Sequence, residues 1–312
     1  MKKFSGFLLV ILALALVISG CTQEEQAELP DAVEGVEFVD DSYIVDIDWL
    51  NSNLDNENLL LIDARGEEAH GKGHIPGALA VSWQQFTLME GGPGDSGWGA
   101  VLEAEALSER LSEIGVSEDK EIVIYSETIG AWGEDGRILW MLRSAGLDNS
   151  KLLDGGFTLW AAEGYEISKD EVRPTPSDFA IAEVDNSTII DTDELAESLE
   201  DYVIIDARAR GEYEGAQDFG EARGGHLPGA INIPFTHFLK DDGTIKEAGE
   251  IQAILDDNGI EKSDDIVTYC TAGIRSAHMQ IVMTMLGYDN VRNYDTSFYE
   301  WSGNSDLPLE NE

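Results

Sequence analysis

The chain repeats itself. Leu61-Ile62-Asp63-Ala64-Arg65 returns as Ile204-Ile205-Asp206-Ala207-Arg208, and Gly73-His74-Ile75-Pro76-Gly77-Ala78 returns as Gly225-His226-Leu227-Pro228-Gly229-Ala230. Ile122-Val123-Ile124-Tyr125 matches Ile266-Val267-Thr268-Tyr269. Near the end of each copy, Asp154-Gly155-Gly156-Phe157 with Trp160 matches Asp295-Thr296-Ser297-Phe298 with Trp301. Four matches in one order, spaced by roughly 145 residues, describe two copies of one domain rather than chance. A chain of 312 residues has room for two such units and little else.

Each copy reads as α/β. Short apolar, β-branched runs such as Leu59–Ile62 and Val203–Ile205 have the pattern of buried parallel strands. Helical patterns lie between them, for example Glu103–Ile114 and Ile251–Asn258, followed by Gly115 and Gly259 as stop signals. Strands alternating with helices predict, in each domain, a parallel sheet flanked by helices. The domains are placed at 39–168 and 185–306, joined by a linker at 169–184 that holds Pro174 and Pro176, with a short tail at 307–312.

The start of the chain has a different character. Lys2 and Lys3 precede an apolar run from Phe7 to Ile18, then Ser19, Gly20 and Cys21. A charged start, a short apolar core and small residues make an export signal, and the run is short for a spanning helix of about 20 residues. Val17-Ile18-Ser19-Gly20-Cys21 resembles a bacterial lipobox, in which the cysteine becomes the lipidated first residue. The expectation is a signal at 1–20, lipid on Cys21, an acidic tether at 21–38, and a protein held to the outer face of the cell membrane.

Composition sets the partners. With 62 acidic and 19 basic residues the net charge is −43. Nucleic acid is excluded, because neutralising phosphates needs a basic surface; such acidity suits solubility or high salt. No Cys/His cluster stands at metal-ligand spacing, and no cofactor motif is present. Two cysteines make no disulfide framework, and lipid on Cys21 leaves Cys270 as the single thiol.

A lone cysteine reads either as a small buried hydrophobe or as a reactive group. Here Cys270 follows directly on the strand ending at Tyr269, and Thr271-Ala272-Gly273-Ile274-Arg275 leads into a helical run from Ser276 to Leu286. The carboxyl end of a parallel strand facing a helix N-terminus is the usual ligand crevice of such sheets. Backbone N–H groups and the helix dipole favour an anion there, so the thiol should be acidic and nucleophilic. Gly273 lets the turn curl around the sulfur. In the first copy Ser126 stands opposite Cys270 in a longer segment, and its hydroxyl cannot store sulfur.

The duplication, the Asp-Ala-Arg strand ends, both Gly-His-x-Pro-Gly-Ala segments and the loop from Cys270 to Arg275 resemble the rhodanese family, in particular its tandem-domain sulfurtransferases of the thiosulfate and 3-mercaptopyruvate type. The resemblance implies an active site in the second domain, at the domain interface, and a Cys270 persulfide between a small anionic sulfur donor and a thiophilic acceptor. Phosphatases of the same fold have a loop one residue longer, with room for a tetrahedral phosphate. The resemblance also implies that Arg208 binds the donor, with Arg275 at the loop end as a further contact. Many tandem members carry a second arginine where this chain has Glu212; Arg210 or Arg223 is then a candidate substitute. His74 and His226 recur in both copies and read as structural, and His278 as a packing residue. Two alternatives stand beside thiosulfate transfer: 3-mercaptopyruvate as donor, and a persulfide carrier without turnover.

Overall fold

The computed structural model describes residues 29–311, so the signal and Cys21 lie outside the described residues. The first domain runs β1 (Ile44–Val45), α1 (Ile47–Asn53), β2 (Leu59–Asp63), α2 (Glu67–Lys72), β3 (Leu79–Ala80), α3 (Ala104–Glu113), β4 (Glu121–Tyr125), α4 (Glu134–Ser144), β5 (Ser150–Leu153) and α5 (Gly156–Ala162). The second repeats it as β6 (Ile189–Ile190), α6 (Thr192–Glu197), β7 (Val203–Asp206), α7 (Arg210–Tyr213), β8 (Ile231–Asn232), α8 (Ala248–Asp257), β9 (Ile266–Tyr269), α9 (Ile274–Met285), β10 (Val291–Tyr294) and α10 (Ser297–Gly303). The sheets have five strands each, in the orders β1-β5-β4-β2-β3 and β6-β10-β9-β7-β8. Every strand pairing in both is parallel, as the α/β reading predicts.

Local sequence accounts for the elements. Central strands β4 and β9 are almost wholly buried, which explains their unbroken apolar runs. Asp46 and Asp191 accept from the Trp49 and Glu194 amides at the starts of α1 and α6, satisfying donors that a first turn leaves open. Gly115 and Gly259, just beyond α3 and α8, have φ of +83° and +71°, a region that favours glycine.

One buried cluster spans both domains. Ile138, Leu139 and Leu142 of α4 belong to the same buried cluster as Ala277, Ile281 and Met285 of α9. The helices approach so closely at Gly136 that a Cβ there would stand 2.5 Å from the His278 Cβ. Both connecting stretches are docked. In the linker, Ile181 donates to Ser108 Oγ at 3.0 Å and Ser177 to the Ser112 carbonyl at 2.9 Å. The end of the stretch read as a tether lies against the second domain, where Val33 and Val39 donate to the carbonyls of Gly249 and Met285. Its apolar residues Val36 and Phe38 explain this, since they pack on that domain's core.

One polar scaffold occurs in both halves. Arg208 ion-pairs with Asp206 at 2.6 Å and donates to the Gly225 carbonyl at 2.8 Å. Its guanidinium lies 3.9 Å from the Phe298 ring centroid, and Tyr269 donates its hydroxyl to Asp206. In the first domain Arg65 pairs with Asp63 at 2.6 Å, reaches the Gly73 carbonyl at 2.8 Å and covers the Phe157 ring at 3.6 Å. This corrects the expectation that Arg208 binds the donor. Its side chain has no exposed surface, and the same arrangement serves a domain without the cysteine. Its work is to tie the end of β7 to the Gly-His-x-Pro-Gly turn. Removing one partner of a buried ion pair leaves the other charge uncompensated, at about 3–5 kcal/mol. Arg208→Ala is therefore expected to lower the thermal unfolding midpoint markedly, and Arg65→Ala to do the same; a variant that unfolds like the wild type but shows a raised KM for the donor would restore the binding role.

Candidate active site

Cys270 sits at the carboxyl end of β9 and is 1% exposed. Its amide donates to Ser297 Oγ at 2.8 Å, and its carbonyl accepts from the Phe298 amide at 3.1 Å. Ser297 holds a left-handed φ of +61°, the one non-glycine residue described that does. That conformation is costly for a side chain and here puts a hydroxyl against the cysteine's backbone. Gly273 takes φ +73° and caps α9, which turns the loop as its sequence predicts.

Arg275 completes the loop from inside. Its two terminal nitrogens each donate to a different oxygen of Glu212 at 2.7 Å, and one also donates to Thr271 Oγ1 at 2.7 Å. Thr271 donates in turn to Glu212 Oε1 at 3.0 Å. A planar guanidinium matched to a carboxylate in this way is both strong and directional. Glu212 is thus the partner of the loop arginine, and no basic residue stands in its place. Burial opposes its charge, but Arg275, Thr271 and the Ala209 amide together offset this and hold the carboxyl below its usual range.

The thiol is acidic for reasons visible in the loop. Burial raises its pKa; the Arg275 charge, the Ser276 amide and hydroxyl and the Ala272 amide outweigh that and bring it below the ordinary thiol value. The result is a nearly inaccessible sulfur with a more acidic thiol than usual, the condition of a nucleophile rather than of a packing cysteine.

The remaining arginines lie elsewhere. Arg223 donates to the carbonyls of Trp301, Ser302, Asn304 and Leu307. It thereby closes the end of α10 and the chain beyond it, which corrects the expectation that it reaches the donor. Arg210 is half exposed and ion-pairs with Glu214 at 2.6 Å on the surface of α7. Of the four arginines considered for the donor, Arg275 alone belongs to the loop. Sequence reasoning missed Ser297, Ser276 and Trp132, whose ring lies 4.8 Å from the Arg275 guanidinium and meets Phe219 edge-on at 4.5 Å.

The first domain shows what the site is without its chemistry. Gly133, at φ +78°, caps α4 as Gly273 caps α9. Counting two residues on from each glycine puts Asp135 where the second domain has Arg275. Asp135 accepts from the Ser126 amide at 3.1 Å, and burial pushes its pKa up to about 6. An acid in that position opposes an anion on residue 126. His74 and His226 are buried, with Nδ1 against the carbonyls of His70 and Tyr213 at 3.0 and 2.9 Å. His278 is buried at the domain interface, and burial lowers its pKa to about 4.

The Arg275–Glu212 pair sets up a pH test. An opposite charge nearby lowers a pKa by about 1–3 units. The double variant Glu212→Gln with Arg275→Gln strands neither charge, so the Cys270 pKa is expected to rise, by less than that range because the opposing Glu212 charge goes too. Alkylation by iodoacetamide, read on the Cys270 peptide, would then fall at pH 7 and recover at higher pH. An unchanged profile would contradict the assignment.

Comparison with known proteins agrees with this geometry. A family model described as the rhodanese-like domain matches residues 46–163 and again 191–304. The chain is 28% identical to a thiosulfate sulfurtransferase of Corynebacterium glutamicum over 287 residues, covering 88% of this chain and 92% of that protein. It is 28% identical to the sulfur carrier protein TtuD of Thermus thermophilus over 284 residues, covering 85% and 95%. Among solved structures, EanB in complex with ergothioneine superposes with a TM-score of 0.77 at 24% identity, covering 86% of this chain and 70% of that one. With two matched domains, two parallel sheets and a cysteine loop at the end of β9, the chain belongs to the rhodanese family.

Proposed function

We propose that this protein is a sulfurtransferase that carries sulfane sulfur from a donor such as thiosulfate, through a Cys270 persulfide, to a thiophilic acceptor. The observation that carries the reading is the buried Cys270, whose thiolate is favoured by Arg275 and the loop donors. The relative in Corynebacterium glutamicum is named for thiosulfate, and one solved EanB structure holds a cysteine persulfide; both support it. The thiolate attacks the outer sulfur of thiosulfate, the sulfur–sulfur bond breaks, and sulfite leaves with the electron pair. The acceptor then attacks the terminal sulfur of the persulfide and returns the thiolate. Thiosulfate is a dianion and the chain carries −43. Repulsion from distant carboxylates fades over a screening length near 10 Å at 0.1 M salt, leaving the loop amides to meet the donor with the Arg275 charge behind them.

A carrier reading has its own support in the likeness to TtuD and in the carboxylate that already neutralises Arg275. Turnover separates the two. Thiosulfate is expected to add one sulfur atom to the Cys270 peptide, and cyanide to remove it as thiocyanate over many cycles, with 3-mercaptopyruvate as the comparison donor. Cys270→Ser should lose both steps while unfolding like the wild type. A persulfide that forms but does not turn over with any small acceptor would favour the carrier; sulfur transfer retained by Cys270→Ser would refute both.

We also propose a lipid anchor on Cys21 at the outer face of the cell membrane, supported by the Lys2–Lys3 start and the apolar run ending in Ser19-Gly20-Cys21. The mature N-terminal peptide is expected to begin at an acylated Cys21, and a soluble chain cleaved elsewhere would contradict it.

A further inference from the structure

Besides Trp132, which lies against Arg275, a second side chain of the first domain reaches the catalytic loop. Arg137 lies in α4 and is 1% exposed. It donates to the Gly273 carbonyl at 3.3 Å and to the Gly99 carbonyl at 2.8 Å. It also ion-pairs with Asp295, just beyond β10, and Asp295 accepts from the Val101 amide of the first domain at 2.8 Å. The Trp140 and Trp83 rings lie 4.7 and 5.9 Å from its guanidinium, so both terminal nitrogens are engaged and aromatic rings flank the cation.

The Gly273 turn has no slack. A Cβ there would meet the Asp295 carbonyl oxygen at 2.1 Å and Arg137 Nη1 at 2.9 Å. Asn293 donates to the same Gly273 carbonyl at 3.3 Å. A carbonyl shares its rigid plane with the next amide, so fixing the Gly273 oxygen fixes the peptide between the Ala272 and Ser276 amides that face the sulfur. Arg137 is 136 residues from the glycine it holds. In the second domain the residue at the matching helix position is Ala277, so this contact is made in one direction only.

We propose that Arg137 is a positioning residue for sulfur transfer, through which the first domain locks the Gly273 turn around Cys270. The domain without a nucleophile is then part of the active site rather than a wall beside it. The proposal rests on Cys270 being the nucleophile, and alkylation reads that thiol whether or not a donor turns over. Groups facing the loop besides Arg137 are Arg275, Glu212, Asp295 and Tyr299.

The test uses the double variant Arg137→Met with Asp295→Asn, which removes both buried charges together and leaves the net charge unchanged. Arg137→Lys, which keeps both charges, separates a loop effect from a change in the local field. The expected result is a loss of about tenfold in kcat and in Cys270 alkylation at pH 7, the scale of one charge-assisted hydrogen bond. KM for thiosulfate should stay within about twofold, since no donor contact is removed. Arg137→Lys, which keeps the charge beside Asp295, should recover part of the loss. A folded double variant with the wild-type profile and kcat, or a loss confined to KM, would overturn the proposal. If the double variant does not fold, Arg137→Lys decides: a profile and kcat equal to wild type would equally overturn it. A wild-type chain that forms no persulfide would count against the sulfur-transfer reading alone, and the alkylation comparison would still decide this one.

Discussion

A thiol held more acidic than usual with almost no exposure to water is the constraint on which the second domain is built. Removing a thiolate from water is unfavourable unless donors and an opposite charge replace the solvent. The loop supplies amides from Ala272 and Ser276 and the charge of Arg275. A buried arginine needs its own compensation, and Glu212 provides it with two 2.7 Å contacts. The thiol, the guanidinium and the carboxylate therefore form one buried cluster. Glu212 lowers the positive field at the sulfur in exchange for holding Arg275 in place.

Duplication explains how such a site is carried. The Asp–Arg–Tyr arrangement at the strand ends is built twice with nearly equal distances, so it belongs to the fold and precedes any chemistry. The divergence that matters for the chemistry lies in the loop. The first domain takes seven steps from Ser126 to its capping glycine, where the second takes three from Cys270. It also carries Asp135 where the second carries Arg275. What the first domain lost in chemistry it kept in contact, because α4 and α9 share a core and Arg137 and Trp132 reach the loop.

Much of this was legible in the sequence. The repeat gave two domains, the apolar runs gave β2, β4, β7 and β9, and the strand–Cys270–Gly273–Arg275 order placed the nucleophile where β9 ends. Side-chain direction was not legible. Arg208 follows a strand end, and nothing in its neighbours tells whether it turns outwards to a ligand or inwards to Asp206; the twin at Arg65 was the available signal, since a feature kept without the cysteine is structural. Glu212 read as a departure because a carboxylate and an arginine 63 residues apart announce no pairing. Arg137 was invisible for the same reason. The acidic tether was judged on charge, while Val36 and Phe38 within it carried the packing.

The Cys270 thiol is more acidic in the folded protein than an ordinary thiol because the loop amides and Arg275 outweigh its burial. The direct measurement is the ultraviolet thiolate absorbance against pH, taken as the difference between wild type and Cys270→Ser so that Cys21 cancels. The account predicts a single Cys270 titration below the ordinary thiol range in the native protein, and a return to that range on unfolding in denaturant. A native Cys270 that titrates at or above the ordinary thiol value would contradict it.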